Sequence, residues 1–491
     1  MEEKLDELLE KIKSYNSQAD FELIRGAYSF ASKAHSGQKR LSGEDYLVHP
    51  LAVASILAGW RLDGGSIVAG LLHDVVEDGG IDILVVEKEF GEDIAELVNG
   101  VTKIGELKLR GSQQEAFVEN LRRMIVVMAY DLRVVLIKLA DRYHNLQTLY
   151  VLPVEKQKRI AQESLEVYAP LAERLGIGEM KGRLEDLAFP YALSEEYKWV
   201  KEYSAPYYKE SDEYIQNVKK EVLKALMEEG IKAHVHGRAK HLYSLYKKLC
   251  RSYVDKDIIR VYDLMALRII VENIEECYIT LGIIHTTYKP VPSIGVRDFI
   301  AQPKPNGYQS IHTNVFAQGR IIEIQIRTQE MHEEAENGIA AHWHYAQKKV
   351  GGASRAQIKA GFFAPTEKMG WVKELVNWQQ ELVDSKEFLN SLKFDALRHR
   401  IFVFSPRGDV FDLPAEATPV DFAYAVHTDL GNSCSGTKVD GKMVPLDFKL
   451  KSGQVVEIIS TKNKKGPSSD WLNFVVTQLA RREIAKNMRK S

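Results

Sequence analysis

Ile67–Asp78 reads IVAGLLHDVVED, and this stretch sets the character of the first 195 or so residues. Ile67, Val68, Leu71, Leu72, Val75 and Val76 recur at three- and four-residue spacing, which predicts an amphipathic helix. His73 and Asp74 are adjacent, and Glu77 and Asp78 follow four residues later, so on a helix these four share the face opposite the aliphatic stripe. A His-Asp dipeptide alone is usually a capping or surface pair. Here an acidic pair loads an otherwise apolar helix, where burying unpaired charge costs on the order of several kcal/mol.

Two flanking segments give that pair a purpose. Tyr46–Pro50 (YLVHP) supplies His49, and Leu139–Leu149 (LADRYHNLQTL) supplies Asp141, Asn145 and Thr148 at i, i+4 and i+7. Two imidazoles (His49, His73) and two carboxylates (Asp74, Asp141) suffice for one divalent ion. Mixed nitrogen and oxygen ligation without thiolate favours Mn²⁺ or a similar ion over structural zinc. Such an ion lowers the pKa of a bound water to near neutrality. Glu77 and Asp78 are placed to position or deprotonate that water.

The rest of the chain is longer than one core can serve. At 491 residues it calls for three or four units. Apolar residues at 45 % and charged residues at 27 % are the ordinary mix of a soluble globular protein, and the net charge of −2 advertises no general affinity for nucleic acid. Anionic ligands must therefore be met by local basic clusters. Cys250, Cys277 and Cys434 are far apart and form no CxxC pair, which argues against a zinc site or disulfide framework and suits a reducing cytoplasm. The charged N-terminus has no apolar signal core, and no uncharged stretch approaches the length of a membrane span.

After residue 195 the periodicity changes. Tyr262–Val271 is a mainly apolar run with two charges, Asp263 and Arg268, which predicts a buried strand, and Ile322, Ile324 and Ile326 alternate with Glu323, Gln325 and Arg327, a half-polar strand. Within HGRAKHLYSLYKKL (236–249), Lys240, Ser244 and Lys248 form one helical stripe able to grip triphosphate oxygens. Asp263 and Glu323 are carboxylates on two strands, a pairing that suits Mg²⁺. Between them RDFIAQPKPNGYQSIHT (297–313) carries a turn expected to expose Lys304, Asn306 and Tyr308, a cation, an amide and a stacking ring fit for a guanine nucleotide. A Gly-, Ala- and Lys-rich stretch at 348–370 reads as a mobile connection, 371–392 as an amphipathic helix, and 401–414 (IFVFSPRGDVFDLP) opens a small strand-rich unit.

These motifs together resemble the RelA/SpoT homologue (Rel) family. HDVVED, with GQKRLSGEDYLVHP and LADRYHNL, looks like its HD hydrolase domain. GRAKHLYS, YDLMALR, PKPNGYQSIHT and EIQIRTQEMHEEAE look like its synthetase domain, and residues 401–460 resemble a TGS domain. The resemblance implies a multidomain chain. It would comprise an all-α HD-type hydrolase domain with helical connector (1–195), an α+β nucleotidyltransferase-like synthetase domain (196–347), a linker with connecting helix (348–397) and a small β-grasp TGS domain (398–462). Residues 463–491 would begin a further helical unit whose partner is missing from the sequence.

The family's chemistry, carried over by position, has two halves. One is Mn²⁺-dependent hydrolysis of (p)ppGpp to GDP or GTP and pyrophosphate. There His49, His73, Asp74 and Asp141 would hold the metal, Glu77 and Asp78 would serve catalysis, and Arg40, Asn145 and Thr148 would line the nucleotide pocket. The other is transfer of pyrophosphate from ATP to the 3′-hydroxyl of GDP or GTP. There Asp263 and Glu323 would hold Mg²⁺, with Glu323 as base. Arg238, Lys240, Ser244 and Lys248 would meet ATP, Tyr308 would stack on guanine, and Arg297, Lys304, Asn306, His312 and Gln325 would lie nearby. His427 would lie at a contact between the TGS domain and deacylated tRNA on the ribosome.

Three positions depart from the family pattern. Leu41 and Gln147 replace basic residues beside the hydrolase pocket. Gly295-Val296-Arg297-Asp298 keeps only the second basic residue of the RXKD motif of bifunctional members. The alternatives are a hydrolase with a weak or vestigial synthetase, and a non-catalytic tRNA- or ribosome-binding regulator. Two opposed reactions in one chain would only consume ATP, so antagonistic coupling is expected.

Overall fold

Aspartates start the helices of the N-terminal half. The computed structural model describes residues 1–105, 113–251, 254–261, 264–292, 294–304, 306–341, 400–461 and 466–488. The half runs through α1 (Glu2–Tyr15), α2 (Phe21–Ala34), α3 (Val48–Gly59), α4 (Gly64–Leu72), α5 (Ile83–Phe90), α6 (Glu92–Gly105), α7 (Gln113–Tyr130) and α8 (Leu132–Gln147). The carboxylates of Asp20, Asp82 and Asp131 accept the backbone N–H of Leu23, Leu84 and Arg133, satisfying donors the first turns of α2, α5 and α8 leave open. Asp131 does more. With Asp63 and Asp93 it surrounds the fully buried Arg133 guanidinium at 2.7–3.3 Å, tying the start of α8 to the starts of α4 and α6.

The decisive stretch is not one continuous helix. α4 ends at Leu72, and His73–Gly79 continue as turns in which the N–H groups of Asp78 and Gly79 share the Asp74 carbonyl at 2.9 and 3.1 Å. Gly79-Gly80 closes this run of turns, because Gly80 takes a left-handed φ of 67°. The aliphatic face still behaves as read: Ile67, Val68, Leu71, Leu72 and Val75 are wholly buried.

Next come α9 (Val154–Glu163), α10 (Ala169–Arg174), α11 (Gly178–Ala192) and the long α12 (Ser194–Glu228). The mixed sheet follows, with β1 (His234–Ala239), β2 (Met265–Val271), β3 (Lys289–Pro290), β4 (Arg297–Asp298), β5 (Ile311–Ala317) and β6 (Arg320–Thr328), and with α13 (Leu242–Leu249), α14 (Ile274–Thr287) and α15 (Gln329–Asn337) interleaved. Its order is β1-β2-β6-β5-β3, with β4 added to β5; β2 and β6 are parallel and the other pairs antiparallel. Val235, Leu267, Ile269, Ile311, Ile322, Ile324 and Ile326 pack with Val218, Val222 and Leu226 of α12 and with Cys277 and Ile284 of α14. Strand alternation then sends Arg238, Arg268, Glu323, Gln325, Arg327 and His312 to the other face. That face is covered too, since Glu323 and Arg327 are only 7 % and 1 % exposed, so β6 is not half-solvated as the alternation implied. The end of α15 meets the α10–α11 turn where Ile339 N–H donates to Leu175 at 2.9 Å. Gly338 permits this at φ 56°, since a Cβ there would stand 2.2 Å from the Leu175 carbonyl oxygen.

The helical and mixed-sheet parts belong to one compact unit, residues 1–108 and 123–369; residues 109–122 and 370–491 form a second. In the second, β7 (Arg400–Phe404) and β8 (Val410–Pro414) form a hairpin, and β9 (Cys434–Val439), β10 (Lys442–Val444) and β11 (Val456–Ser460) form a sheet in the order β10-β9-β11. Helices α16 (Pro419–Val426), α17 (Thr428–Asn432) and α18 (Gln478–Met488) complete it. Asp421, wholly buried, closes a capping box with Thr418 and also accepts from Val476 N–H, Thr477 N–H and the Thr477 hydroxyl. Ala480 and Ile484 pack on Val420, Ala423 and Tyr424. The terminal helix, expected to lack a partner, therefore has one in this unit. The readings of 348–370 as a connection and 371–392 as a helix lie outside the described residues.

Candidate active sites

In the helical half the ring nitrogens fix their own tautomers. His73 Nδ1 lies 2.9 Å from the Gly70 carbonyl, which can only accept, so Nδ1 carries a proton and Nε2 is the ring atom left to face a cation. Arg40 Nη1, an obligate donor, stands 3.1 Å from His144 Nδ1, which must therefore accept. His49 Nδ1, 2.8 Å from that same atom, is then a donor, and its Nε2 is bare. The two Nε2 atoms face each other at 3.1 Å. Asp141 Oδ1 is 3.2 Å from His49 Nε2, and Asp74 oxygens lie 3.1 Å from His73 Nε2 and 3.4 Å from His49 Nε2.

Ring nitrogens and carboxylates converging on one point suit a cation, and ligand atoms of His49, His73 and Asp141 all lie within 4.8 Å of one another. The donor set therefore fits a divalent metal. The electrostatics agree. Burial opposes a charged His73, yet Asp74 and Asp141 outweigh it and lift the ring to about 9, so the pocket draws positive charge, here a proton on His73 Nε2 that a bound cation would replace. Both carboxylates are held well below the usual range, Asp74 by His73 and His49 and Asp141 by Lys138 and His49, each against the cost of burial. Burial first, then His49 and Arg40, push His144 down to about 3, so it stays neutral.

The predicted pocket residues assemble around this centre. Arg40 sits in a tight loop after α2. Its Nη2 donates to Asn145 Oδ1 at 2.8 Å and reaches Thr148 Oγ1 at 3.4 Å, while Asn145 donates to Asp141 at 2.6 Å. The acidic pair splits in two: Asp78 takes the Tyr46 hydroxyl, which also donates to Asp74 at 3.0 Å, whereas Glu77 is raised by burial against the pull of Lys138. Leu41 is 75 % exposed at the tip of the Arg40 loop, and Gln147 is exposed beside Thr148.

On the sheet, Glu323 is the hub. Arg297 donates to its Oε1 at 2.6 Å, Gln325 to its Oε2 at 2.7 Å, and His312 Nδ1 lies 3.5 Å away. Burial would raise this carboxyl, but His312 and Arg297 hold it far below the usual range. The Tyr308 hydroxyl and His312 Nε2 are 2.7 Å apart, and Lys304 Nζ stands 4.8 Å above the Tyr308 ring. Lys304, Asn306 and Tyr308 are half-buried rather than exposed, since the turn folds back through Lys304 N–H to the Tyr308 carbonyl. Burial and the neighbouring Arg297 bring the Lys304 ammonium down to about 8. Asp263 lies outside the described residues, so the geometry of the two-carboxylate Mg²⁺ reading does not arise.

The basic segment after β1 is already engaged. Lys240 precedes α13 instead of sharing its stripe with Ser244 and Lys248, because its N–H continues the β1 ladder to Leu264. Helix α11 meets this segment with three carboxylates. Glu185 takes Lys247 Nζ at 2.7 Å and the Ser244 hydroxyl at 3.3 Å; Asp186 takes His241 Nδ1 at 2.7 Å; Glu179 lies 4.0 Å from Arg238 and from His241. Gly182 makes the approach possible, as a Cβ there would stand 2.3 Å from the His241 ring.

Comparison with known proteins matches the regions that carry these sites. Residues 27–178 match the HD domain, 237–350 the region found in RelA / SpoT proteins, and 401–460 the TGS domain. The chain is 44 % identical, over its whole length and 68 % of the relative's, to the guanosine-3′,5′-bis(diphosphate) 3′-pyrophosphohydrolase of Aquifex aeolicus (strain VF5). It belongs to the RelA/SpoT homologue family. It is also 47 % identical, over 96 % of its length and 61 % of the relative's, to the GTP pyrophosphokinase of Myxococcus xanthus. To the bifunctional (p)ppGpp synthase/hydrolase SpoT of Escherichia coli (strain K12) it is 44 % identical over 99 % of its length and 68 % of the relative's. The chain thus spans about two thirds or less of the length of these curated relatives.

Within this Rel-family chain, sequence reasoning missed Tyr46, Lys138 and His144. Short spacing to a predicted ligand held the signal for all three, helical for Lys138 and His144 and a turn for Tyr46. Tyr46 precedes His49 by three residues, and Lys138 and His144 lie three residues either side of Asp141. In the TGS unit His427 is 69 % exposed in its side chain and caps α17, its Nδ1 accepting from Asp429 N–H at 3.1 Å, so the neutral ring carries its proton on Nε2.

Proposed function

We propose that the helical site hydrolyses (p)ppGpp to GDP or GTP and pyrophosphate with Mn²⁺, and that the sheet site makes (p)ppGpp from ATP and GDP or GTP with Mg²⁺. The observation that carries the reading is the convergence of two imidazole Nε2 atoms and two ionised carboxylates beside the Arg40–Asn145–Thr148 cradle. A divalent ion held by His49, His73, Asp74 and Asp141 would supply a hydroxide near neutral pH. Tyr46 locks Asp74 and Asp78 in one orientation, and Glu77, raised by burial, is poised to take or return a proton. Arg40 and Thr148 present donors to the nucleotide's phosphates and sugar.

At the sheet site the chemistry is positioning and charge neutralisation. Arg238, Lys240, Ser244 and Lys248 receive the ATP phosphates, and Tyr308 with Lys304 and Asn306 receives the guanine nucleotide. Glu323 accepts the 3′-hydroxyl proton once Arg297 turns from it to a phosphate. Helix α11 supports the expected antagonism, because it packs on α8 and α9 of the hydrolase, with Arg183 hydrogen-bonded to Tyr143, while its carboxylates hold the ATP-gripping segment. The exposed His427 suits a contact with the end of a deacylated tRNA on the ribosome. Among the described residues no helix is long and apolar enough to cross a membrane.

A second reading, hydrolase with weak synthetase, rests on Gly295. It adopts a φ of 68°, a conformation in which a basic side chain would be strained, and leaves Arg297 as the one basic residue of that motif. A lost charged contact costs about 1.5–3 kcal/mol. Incubation with ppGpp and Mn²⁺, and separately with ATP, GDP and Mg²⁺, tests both halves. Pyrophosphate release lost in Asp74→Ala supports the hydrolase, no release from the unaltered chain refutes it, and absence of labelled ppGpp in the second arm leaves only the second reading.

A further inference from the structure

We propose that His144, which belongs to none of the residue sets carried over from the family pattern, is a positioning residue for the metal ligand His49. The inference rests on the hydrolase reading above and assigns this ring a task within that site. His144 is 8 % exposed, on α8 one turn beyond Asp141, and its Nδ1 is the meeting point of two donors: Arg40 Nη1 at 3.1 Å and His49 Nδ1 at 2.8 Å. The guanidinium cannot accept, so a proton on His144 Nδ1 would face another proton. The only consistent assignment leaves His144 with its proton on Nε2 and its Nδ1 lone pair towards His49.

That lone pair does for His49 what the Gly70 carbonyl does for His73. Each accepts from the Nδ1–H of a ligand ring and thereby turns its Nε2 toward the shared point. The rings of His49 and His144 lie 4.9 Å apart with a 38° tilt, so neither can rotate freely without losing the bond. Remove the acceptor and His49 loses its reason to keep Nδ1 protonated; the tautomer with Nε2–H, which cannot ligate a cation, becomes accessible. His144 also joins two functions that the sequence leaves separate. Arg40, a residue of the substrate pocket, and His49, a ligand of the ion, share one acceptor atom.

The test is the affinity of the full chain for Mn²⁺ alone, followed by the loss of the free Mn²⁺ electron paramagnetic resonance signal on titration, without nucleotide. His144→Phe keeps the ring and removes the acceptor; His144→Asn places an amide oxygen where Nδ1 stood. Loss of a partner that orients a metal ligand weakens affinity roughly 10–100-fold, so His144→Phe should bind Mn²⁺ that much more weakly, with His144→Asn recovering most of the loss. Equal affinity in His144→Phe and the unaltered chain would overturn the inference. So would equal losses in His144→Phe and His144→Asn, which would make the ring's bulk the cause. Should His144→Phe unfold, His144→Leu makes the same comparison with His144→Asn. If the unaltered chain does not bind Mn²⁺, the hydrolase reading itself fails, a result distinct from one in which it binds and the variants bind equally well.

Discussion

The two candidate sites solve the problem of charge in opposite ways. At the helical site every group that points inward is backed by another: Gly70 behind His73, His144 behind His49, Asn145 and Lys138 behind Asp141, Tyr46 behind Asp74. The ligand atoms converge on one point, an arrangement that suits a cation. At the sheet site the charges face partners already. Glu323 is held by Arg297, and Ser244, Lys247 and His241 by the carboxylates of α11. A polyphosphate entering there must displace Glu185 from Ser244 and compete with Glu179 for Arg238. The difference teaches that one chain can carry a site built to bind and a site built to be released.

The largest effect expected from breaking this comparison is at Asp141. Its carboxylate faces His49, Lys138 and Asn145 together, so Asp141→Ala should lower pyrophosphate release from ppGpp by ~10³-fold or more, beyond the loss from a supporting partner alone. Synthesis assayed in parallel should persist, and an equal fall in both would erase the distinction. Next is the frame of the helical site. Arg133→Met leaves three carboxylates around an apolar chain, and a broken buried network costs about 3–5 kcal/mol, read as a fall in the urea midpoint. A shift no larger than that of an exposed variant such as Lys33→Met would show that the network does not hold α4, α6 and α8.

A subtler change would sharpen the comparison. Glu185→Gln keeps the shape but releases Lys247 and Ser244, so KM for ATP should fall severalfold, the equivalent of about 1 kcal/mol, with hydrolysis unchanged. A raised or unchanged KM would show that α11 does not compete with ATP. The smallest effect is in pH. Asp186 and Glu179 raise His241 from the ordinary 6.5 to about 9 in the folded chain, against burial. Its contribution is fully present below pH 6.5 and is lost as pH rises through about 9. Unfolding temperature should therefore decline between those values, and less so in His241→Gln; parallel curves would contradict the pairing.

Much of this was legible in the letters. The helical half and the alternating strands followed from periodicity, because helix and strand periods place side chains on faces, while the grouping of His49, His73, Asp74 and Asp141 came from their donor chemistry and the family resemblance. Less was legible where the backbone departs from its period. His73–Gly79 leave the helix after Leu72, which sends Asp78 to Tyr46 and parts it from Glu77. Lys240 stays on the strand ladder, so its stripe with Ser244 and Lys248 breaks. Least legible were the partners. Glu179, Glu185 and Asp186 stand some 60 residues before the segment they hold, and nothing in α11's own pattern says where they point. The terminal helix read as lacking a partner because its anchor, Asp421, looks locally like an ordinary capping residue.

The central claim is that the helical site is assembled for metal-dependent hydrolysis and the sheet site is held back by its own carboxylates. One paired measurement tests it: pyrophosphate released from ppGpp with Mn²⁺, and ppGpp formed from ATP and GDP with Mg²⁺, in the unaltered chain and in Glu185→Gln. The account predicts rapid hydrolysis in both proteins and slow synthesis that rises at low ATP when Glu185 is changed. Synthesis that outruns hydrolysis in the unaltered chain and does not respond to Glu185→Gln would contradict it.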